Sequence, residues 1–275
     1  MSYKAYHFKV VPPQPGSEIL IAHLSELGFD TFEFNENGFT AFVEQSVQVE
    51  FKAEAYAFDN FKYTFTIETI EQSNWNQEWE KNFEPVYVEH LLCIRAPFHP
   101  AAQGYAQEIV IMPKMSFGTG HHQTTRLMCK TMFDQEFKNT RVLDMGCGTG
   151  ILAILACKLG AKDVTGIDID AWSAENSREN CQTNQCPEIK ILQGDVALLQ
   201  NEKPFDHVLA NINKNILKRD IPFYVERMNA KALLYLSGFF TTDQEEVKEV
   251  CFNSGLEFLT SSQEESWAMM LFRKK

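Results

Sequence analysis

Long hydrophobic runs are absent from the sequence: no apolar segment approaches the ~20 residues that a membrane-spanning helix needs. The N-terminus also lacks the apolar core of a secretory signal. The seven cysteines include no Cys-x-x-Cys pair, and the seven histidines form no His-x-x-x-His pair and no Cys/His cluster. We therefore expect a cytoplasmic protein with reduced thiols, no membrane association and no metal site.

Positive charge is scarce as well. Only 25 Lys and Arg residues stand against 37 Asp and Glu residues, which gives the 275-residue chain a net charge of −12. Proteins that bind nucleic acid through its phosphates need clustered Lys and Arg, so this balance argues against a direct nucleic-acid partner. It is compatible with a basic protein or amine substrate. The alternative is that the acidic excess only aids solubility.

A glycine turn at residues 144–150, Asp-Met-Gly-Cys-Gly-Thr-Gly, lies between a strand-like and a helix-like apolar run. Open α/β sheets bind nucleotides at such turns, at the carboxyl ends of parallel strands. The dinucleotide pattern fails because position 151 is Ile, and no Lys follows Gly150 as a P-loop requires. We expect a nucleotide-type ligand without phosphate, which disfavours an NAD-dependent dehydrogenase. The alternative is a tight loop in a generic α/β domain.

Polar residues follow the next apolar strands. Asp168 ends one strand, Asp195 follows another and Asn211 ends a third. The glycine turn resembles the first motif of the S-adenosylmethionine-dependent methyltransferases. A carboxylate in the position of Asp168 suits ribose hydroxyls, and the resemblance implies that Asp195 reaches the adenine amino group and that Asn211 lies near the transferred methyl group. The alternative for Asp168 is a helix N-cap, since Asp is favoured there.

A second motif, residues 112–128, contains the loop Phe117-Gly-Thr-Gly120, followed by Thr124 and Thr125 early in a predicted helix. A helix N-terminus favours a carboxylate such as that of a methionine group. The alternative is that one of the two threonines merely caps the helix.

Hydrophobic patterning predicts a β-α-β-β-α-β order for residues 1–70, which is the ferredoxin-like arrangement. Residues 71–84 are predicted to form a linker helix with an aromatic stripe. Residues 85–275, beginning with a strand extension at 85–114, are predicted to be a second domain that alternates strands and helices, as in a mostly parallel sheet. The last two strand-like runs are predicted to pair as antiparallel edge strands.

These segments resemble the ribosomal protein L11 methyltransferase family of bacteria. The resemblance implies an α/β fold in which a small ferredoxin-like, substrate-recognition domain precedes a seven-stranded Rossmann-like methyltransferase domain. It also implies S-adenosylmethionine as cofactor, and cofactor contacts at Thr125, Gly146, Asp168 and Asn211. Gly148 and Asp195 complete the predicted cofactor site. The sequence departs from the family pattern at His121, where the family usually has Thr, and at Gln123, where it often has Pro. The segments that carry the resemblance are 75–83, 117–125, 143–154, 166–170, 210–212, 236–238 and the stretch from 267.

The resemblance implies a protein-lysine N-methyltransferase that modifies lysine side chains and the N-terminal amine of ribosomal protein L11, acting as a monomer on L11 free of the ribosome. Asn211 is expected to orient the amine and Phe117 to wall its channel; these are the predicted catalytic residues, and no general base is identified. The alternatives are a methyltransferase for another basic protein and a non-catalytic cofactor-binding assembly module. An amide methyltransferase is disfavoured because Asn211-Ile-Asn-Lys replaces the Asn-Pro-Pro-Tyr of those enzymes.

Overall fold

The structure is a computed structural model that describes residues 3–47, 49, 51, 58–70, 80 and 82–275. The chain divides into two compact units, Met1–Asn82 and Phe83–Lys275. The division falls inside the predicted linker, residues 71–84. Most of that linker, residues 71–79 and 81, lies outside the described residues, so the linker helix and the domain limits stay predictions.

The first unit contains a four-stranded sheet in the order β2-β3-β1-β4 and one described helix. Every pairing in the sheet is antiparallel, and this strand order is that of the predicted ferredoxin-like arrangement. The second helix of that arrangement, predicted within residues 47–59, falls largely on residues 48, 50 and 52–57, outside the described residues. The elements are β1 (Tyr3–Val11), α1 (Pro13–Glu26), β2 (Thr31–Asn35), β3 (Gly38–Glu44) and β4 (Lys62–Ile70).

Alternation along β1 explains how this sheet acquires a core. Tyr6, Phe8 and Val10 are buried, whereas His7 and Lys9 between them are exposed, as expected for a strand with one face covered. The rings of Phe8 and Phe39 stack with their centroids 4.9 Å apart. Helix α1 adds Leu20 and Leu24 to the same core.

The second unit starts with a three-stranded sheet, which corresponds to the predicted strand extension. Its strands are β5 (Val86–Val88), β6 (Leu92–Arg95) and β7 (Gln107–Val110). Asn184 holds the end of β7: its amide oxygen accepts from the Val110 N–H at 2.8 Å, and its amide nitrogen donates to the Val110 carbonyl at 2.6 Å. The segment leading into the 112–128 motif is thereby fixed beside the helix that ends at Thr183.

A seven-stranded sheet forms the body of this unit, in the order β10-β9-β8-β11-β12-β14-β13. Strands β8 to β12 pair in parallel, and β14 is antiparallel to both of its neighbours. This confirms the expected seven-stranded α/β fold. The strands are β8 (Arg141–Met145), β9 (Asp163–Asp168), β10 (Lys190–Gln193), β11 (Phe205–Asn211), β12 (Met228–Phe240), β13 (Leu256–Glu264) and β14 (Trp267–Lys274).

Helices cover both faces of the sheet, and each face has its own buried apolar cluster. This explains why the central strands are almost continuously apolar. The antiparallel pairing of the last two strands is confirmed, but their prediction as edge strands is wrong for β14, which lies between β12 and β13. The helices are α2 (Gln123–Phe133), α3 (Ile151–Lys158), α4 (Ala171–Thr183), α5 (Lys214–Glu226) and α6 (Gln244–Asn253).

Candidate functional site

The polar strand ends predicted from the sequence meet at one edge of the large sheet, because parallel strands present their carboxyl ends together. Strand β14 runs the other way, so its first residue lies at this same edge. A cavity of about 490 Å³ opens here. From the β10 side to the β14 side, the strand order places along its wall Asp195, Asp168, Gly146, Asn211, Gly238 and Trp267.

The glycine turn and the Phe117 loop form the floor of the cavity together. The Phe117 carbonyl accepts from the Thr149 N–H at 2.9 Å, and the Thr149 hydroxyl donates to the Gly118 carbonyl at 2.6 Å. Gly148 has a φ of 55°, and a Cβ at this position would collide with the Phe117 carbonyl. The two sequence motifs are therefore one structural unit, a contact that their separation in sequence concealed.

Asp168 lies at the end of β9 with both carboxylate oxygens oriented by backbone donors. One accepts from the Gly148 N–H at 2.8 Å and the other from the Asp170 N–H at 3.0 Å. Asp170, rather than Asp168, caps α4 by accepting from the Trp172 N–H at 2.8 Å. Two acceptor positions on Asp168 remain for a ligand in the cavity, because a carboxylate accepts about four hydrogen bonds.

Asp195 also lines the cavity, and its carboxylate caps the short 3-10 helix Val196–Asn201 by accepting from the Ala197 N–H at 2.9 Å. Ile169, which sequence reasoning missed, lies beside it on the cavity wall with 75% of its surface exposed. In the sequence, an Ile placed directly after the acid that ends β9 is a signal that could have predicted this apolar wall.

Thr124 and Thr125 are both fully buried, and of the two Thr124 lines the cavity. The Thr125 hydroxyl has no hydrogen-bond partner among the described residues. His122, not a threonine, caps α2: its Nδ1 accepts from the Thr124 N–H at 3.3 Å. Nδ1 is therefore the unprotonated nitrogen of a neutral ring. Burial, reinforced by the nearby Arg126, lowers the pKa of His122.

Asn211 lies at the end of β11, next to the glycine turn. Its side-chain oxygen is buried and accepts no hydrogen bond from any residue that the structure describes. Ile212 follows it and lies so close to Gly146 that a Cβ there would collide with the Ile212 side chain. A buried unpaired acceptor costs about 1–3 kcal/mol. Asn211 lines the cavity, so a ligand donor that reaches this oxygen would offset that cost.

Aromatic rings close the other end of the cavity. The Phe117 and His122 rings have centroids 5.2 Å apart, and those of His122 and Trp267 are 4.6 Å apart. All three residues line the cavity. Phe117 is the predicted channel wall. Trp267 begins the stretch from 267 that resembles the family, and its place in the site was not predicted.

Helix α5 contributes two residues that sequence reasoning missed. Asp220 is 1% exposed and accepts from Arg219 at 2.6 and 3.0 Å, and both residues line the cavity. They are adjacent in a helix with no motif around them, so the sequence contained no signal for them.

Asp144, the first residue of the glycine turn, is 1% exposed and accepts from the Ala153 N–H at 3.0 Å. Burial is the main cause that raises its pKa to about 7, and the nearby Asp168 adds to the rise. In the folded protein this carboxyl group therefore holds its proton to a higher pH than it does in the unfolded chain.

We expect Asp144→Asn to flatten the pH dependence of stability. The folded state binds the extra proton between about pH 4, where an unfolded Asp titrates, and about pH 7. The contribution of Asp144 to the unfolding free energy falls as pH rises through that window, by on the order of 4 kcal/mol over the whole window for a shift of this size. Denaturant melts at pH 5 and pH 8 span about two pH units of the window and would measure about 3 kcal/mol of the change, with exposed Asp134→Asn as control. Equal pH dependence in wild type and Asp144→Asn would contradict the assignment.

Among the described residues, no three His, Cys, Asp or Glu side chains are grouped so as to hold a metal ion. No helix in the described part of the chain is long and apolar enough to cross a membrane. All seven cysteines have free thiols.

Comparison with known proteins identifies relatives across nearly the whole chain. A family model described as "Ribosomal protein L11 methyltransferase (PrmA)" matches residues 30–275. The ribosomal protein L11 methyltransferase of Porphyromonas gingivalis is 39% identical, over 99% of this chain and 98% of that protein. That of Chlorobaculum tepidum is 32% identical, over 94% of this chain and 92% of that protein.

A solved structure shares the fold. The crystal structure of ribosomal protein L11 methylase from Lactobacillus delbrueckii subsp. bulgaricus superposes with a TM-score of 0.64 at 26% identity. The match covers 70% of this chain and 100% of that one.

Proposed function

The chain belongs to the ribosomal protein L11 methyltransferase family, and from this premise we propose that it transfers methyl groups from S-adenosylmethionine to amino groups of ribosomal protein L11. The acceptors that we propose are lysine side chains and the N-terminal amine. The observation that carries an amine acceptor is the buried, unpaired side-chain oxygen of Asn211 in the cavity wall. An amine offers the N–H donor that this oxygen lacks.

The residues present fit the cofactor. The cavity volume of about 490 Å³ is typical of small-molecule sites. Asp168 has carboxylate positions free for ribose hydroxyls, and the exposed face of Ile169 offers an apolar surface to the adenine ring. The cavity contains no Lys among its lining residues, as expected for a ligand without phosphate. The nucleoside would be held by Asp168, Asp195 and Gly148. The methionine end would lie at the cavity floor near Phe117.

When bound, S-adenosylmethionine supplies a methyl group on a sulfonium, and the amine nitrogen gains that carbon while the S–C bonding pair stays on sulfur. The strand order places Asn211 between the cofactor residues on β8, β9 and β10 and the Trp267 ring on β14. Its amide oxygen can accept one N–H and so direct the nitrogen lone pair. Much of the rate enhancement then comes from positioning.

The acceptor must be neutral, although a free lysine amine has a pKa of about 10.4. The aliphatic part of the cavity wall, which includes Ile212 and Ile216, disfavours the ammonium form because it replaces water around the amine. No unpaired carboxylate lies beside Asn211 on the aromatic side among the described lining residues, since Asp220 is held by Arg219. The released proton is proposed to pass to water.

We further propose that the enzyme acts in the cytoplasm, as a monomer, on L11 that is free of the ribosome and without contacting nucleic acid. The acidic net charge of −12 suits a basic substrate protein, and the free thiols suit a reducing compartment. The ferredoxin-like unit is proposed to recognise the substrate.

Methyl incorporation tests the proposal directly. Purified L11 and the wild-type enzyme are incubated with labelled S-adenosylmethionine, and the modified residues are located by mass spectrometry. Label is expected on lysines and on the N-terminal amine. If calorimetry shows cofactor binding but L11 acquires no label, the substrate assignment is wrong. Label confined to side chains other than amines would reject the amine chemistry.

A further inference from the structure

We propose that a strip of aromatic rings, Phe117, His122, Trp267 and Phe240, forms a subsite for an alkylammonium group and retains the acceptor arm between successive methyl transfers. This inference rests on the proposed function, because it requires an amine acceptor. It adds a second ligand site beside the cofactor cavity. The residues of that site position the amine, a role that a single methyl transfer does not require.

The rings are contiguous. Phe117 contacts His122, His122 contacts Trp267 edge-on at 70°, and Trp267 meets Phe240 with centroids 4.3 Å apart at 32°. The first three line the cofactor cavity, beside Asn211. Phe240 is 46% exposed and Phe117 52% exposed. The strip, as defined by these four residues, therefore runs from the transfer position toward solvent with ring surface still uncovered.

A second cavity of about 310 Å³ lies at the outer end of the strip. It shares Asn213, Gly238 and Trp267 with the cofactor cavity, and its own wall includes Phe240. Because these shared residues lie on the β11, β12 and β14 side, away from Asp168 and Asp195, the second cavity is an approach that leaves the nucleoside positions unobstructed.

Charge in this second cavity is internally balanced. Lys214 lines it but is held by Asp243 at 2.7 Å and by Glu246 at 2.8 Å, and Glu246 also pairs with Lys218. No free carboxylate among its described lining residues would hold an ammonium ion as a tight ion pair. The attraction available to a cation comes from ring faces, of which Trp is the strongest.

Ring faces prefer methylated ammonium ions to primary ones because the two differ in how strongly water hydrates them. A primary ammonium must give up strong hydrogen bonds to water before it contacts a ring, whereas an N-methylated ammonium is less hydrated and presents methyl groups that carry part of the charge. Aromatic sites accordingly recognise methylated ammonium ions. His122 does not oppose the cation, because burial lowers its pKa and its Nδ1 accepts a backbone N–H. Each transfer thus makes the acceptor bind the strip more firmly.

The consequence is that an amine which has received one methyl group stays bound while the spent cofactor is replaced from the β9–β10 side. Before the next transfer the amine releases its proton to water and turns its lone pair back toward the methyl carbon. Multiply methylated product should therefore appear while most L11 is still unmodified.

The test measures the product distribution at less than a tenth of total conversion. Wild type is expected to give di- or trimethylated sites in excess of monomethylated ones, and Trp267→Leu to shift the products about three- to tenfold toward monomethylated sites, the range expected for loss of one partly exposed cation–ring contact. Trp267→Phe should restore most of the wild-type distribution. Phe223→Leu, which removes an aromatic ring that is 49% exposed on α5 and lines neither cavity, serves as the control.

A second readout uses small probes with the cofactor bound. Choline should inhibit methyl transfer by wild type several-fold more strongly than its neutral isostere 3,3-dimethylbutanol, and Trp267→Leu should lose that preference. The subsite proposal would be overturned if wild type released only monomethylated product at low conversion. It would also be overturned if Trp267→Leu left both the product distribution and the preference for choline unchanged. Failure of wild type to methylate L11 at all would instead overturn the proposed function.

Discussion

Replacing Asn211 by Ala should lower kcat for methyl transfer by about 10²- to 10³-fold, the loss typical when one orienting hydrogen-bond partner is removed from a reacting group. The side-chain oxygen of Asn211 is buried without a partner among the described residues. An amine that donates to it has its rotation restricted and its lone pair directed along the cavity. The Ala variant keeps the glycine turn and Asp168, so its affinity for S-adenosylmethionine should change by less than about tenfold.

Asn211→Asp provides a sharper comparison because it keeps the shape and the acceptor but adds negative charge. A carboxylate beside the amine stabilises the ammonium form and raises the pKa of the acceptor. The variant should be slow near neutral pH and should recover activity as the pH rises, over a range in which wild-type activity changes less. Single-turnover rates from pH 7 to pH 10 would measure this difference.

Asn253→Ala serves as the control for both variants, since Asn253 is exposed at the end of α6 and does not line the cavity. Full activity of Asn211→Ala with cofactor bound would mean that the amide does not position the acceptor. A pH profile for Asn211→Asp that parallels wild type would mean that the amine binds elsewhere.

The fold was predictable from the sequence because its signals are local. The glycine turn after β8, the acid that ends β9 and the Asn that ends β11 each mark a strand end, and parallel strands bring such ends to one edge. What could not be predicted was contact between distant segments. Strand β14 enters between β12 and β13, a placement decided by tertiary pairing, and it brings Trp267 to the site.

The difference between local signals and contacts of distant segments also explains which site residues could be predicted. Asp168 and Asn211 follow from position in a strand, whereas Asp220 and Trp267 reach the cavity only through helix packing and strand pairing. Thr125 was predicted as a cofactor contact; both it and Thr124 are fully buried, and Thr124 is the one that lines the cavity. Which of two adjacent helical residues faces a ligand depends on helix rotation, which packing sets.

Removing the carboxylate of Asp168 should weaken S-adenosylmethionine binding by about 10²-fold or more, since a hydrogen bond to a charged group contributes about 1.5–3 kcal/mol and a ribose offers two hydroxyls. Calorimetry on Asp168→Asn would measure the loss. Asp163→Asn is the matched control, because Asp163 is an exposed acid at the opposite end of the same strand, β9.

A thermodynamic cycle separates the ribose contact from the support that Asp168 gives to the Gly148 N–H and the Asp170 N–H. Wild type and Asp168→Asn are titrated with methylthioadenosine and with its 2′,3′-dideoxy analogue. If Asp168 binds the ribose, wild type should prefer the hydroxylated ligand by at least about tenfold and the variant should lose most of that preference, since the two deletions remove the same interaction. If instead Asp168→Asn weakens the binding of both ligands by the same factor relative to wild type, the carboxylate acts only through the turn. Asp168 would then contribute to nucleoside binding by holding the backbone of the glycine turn and not by contact with the ribose.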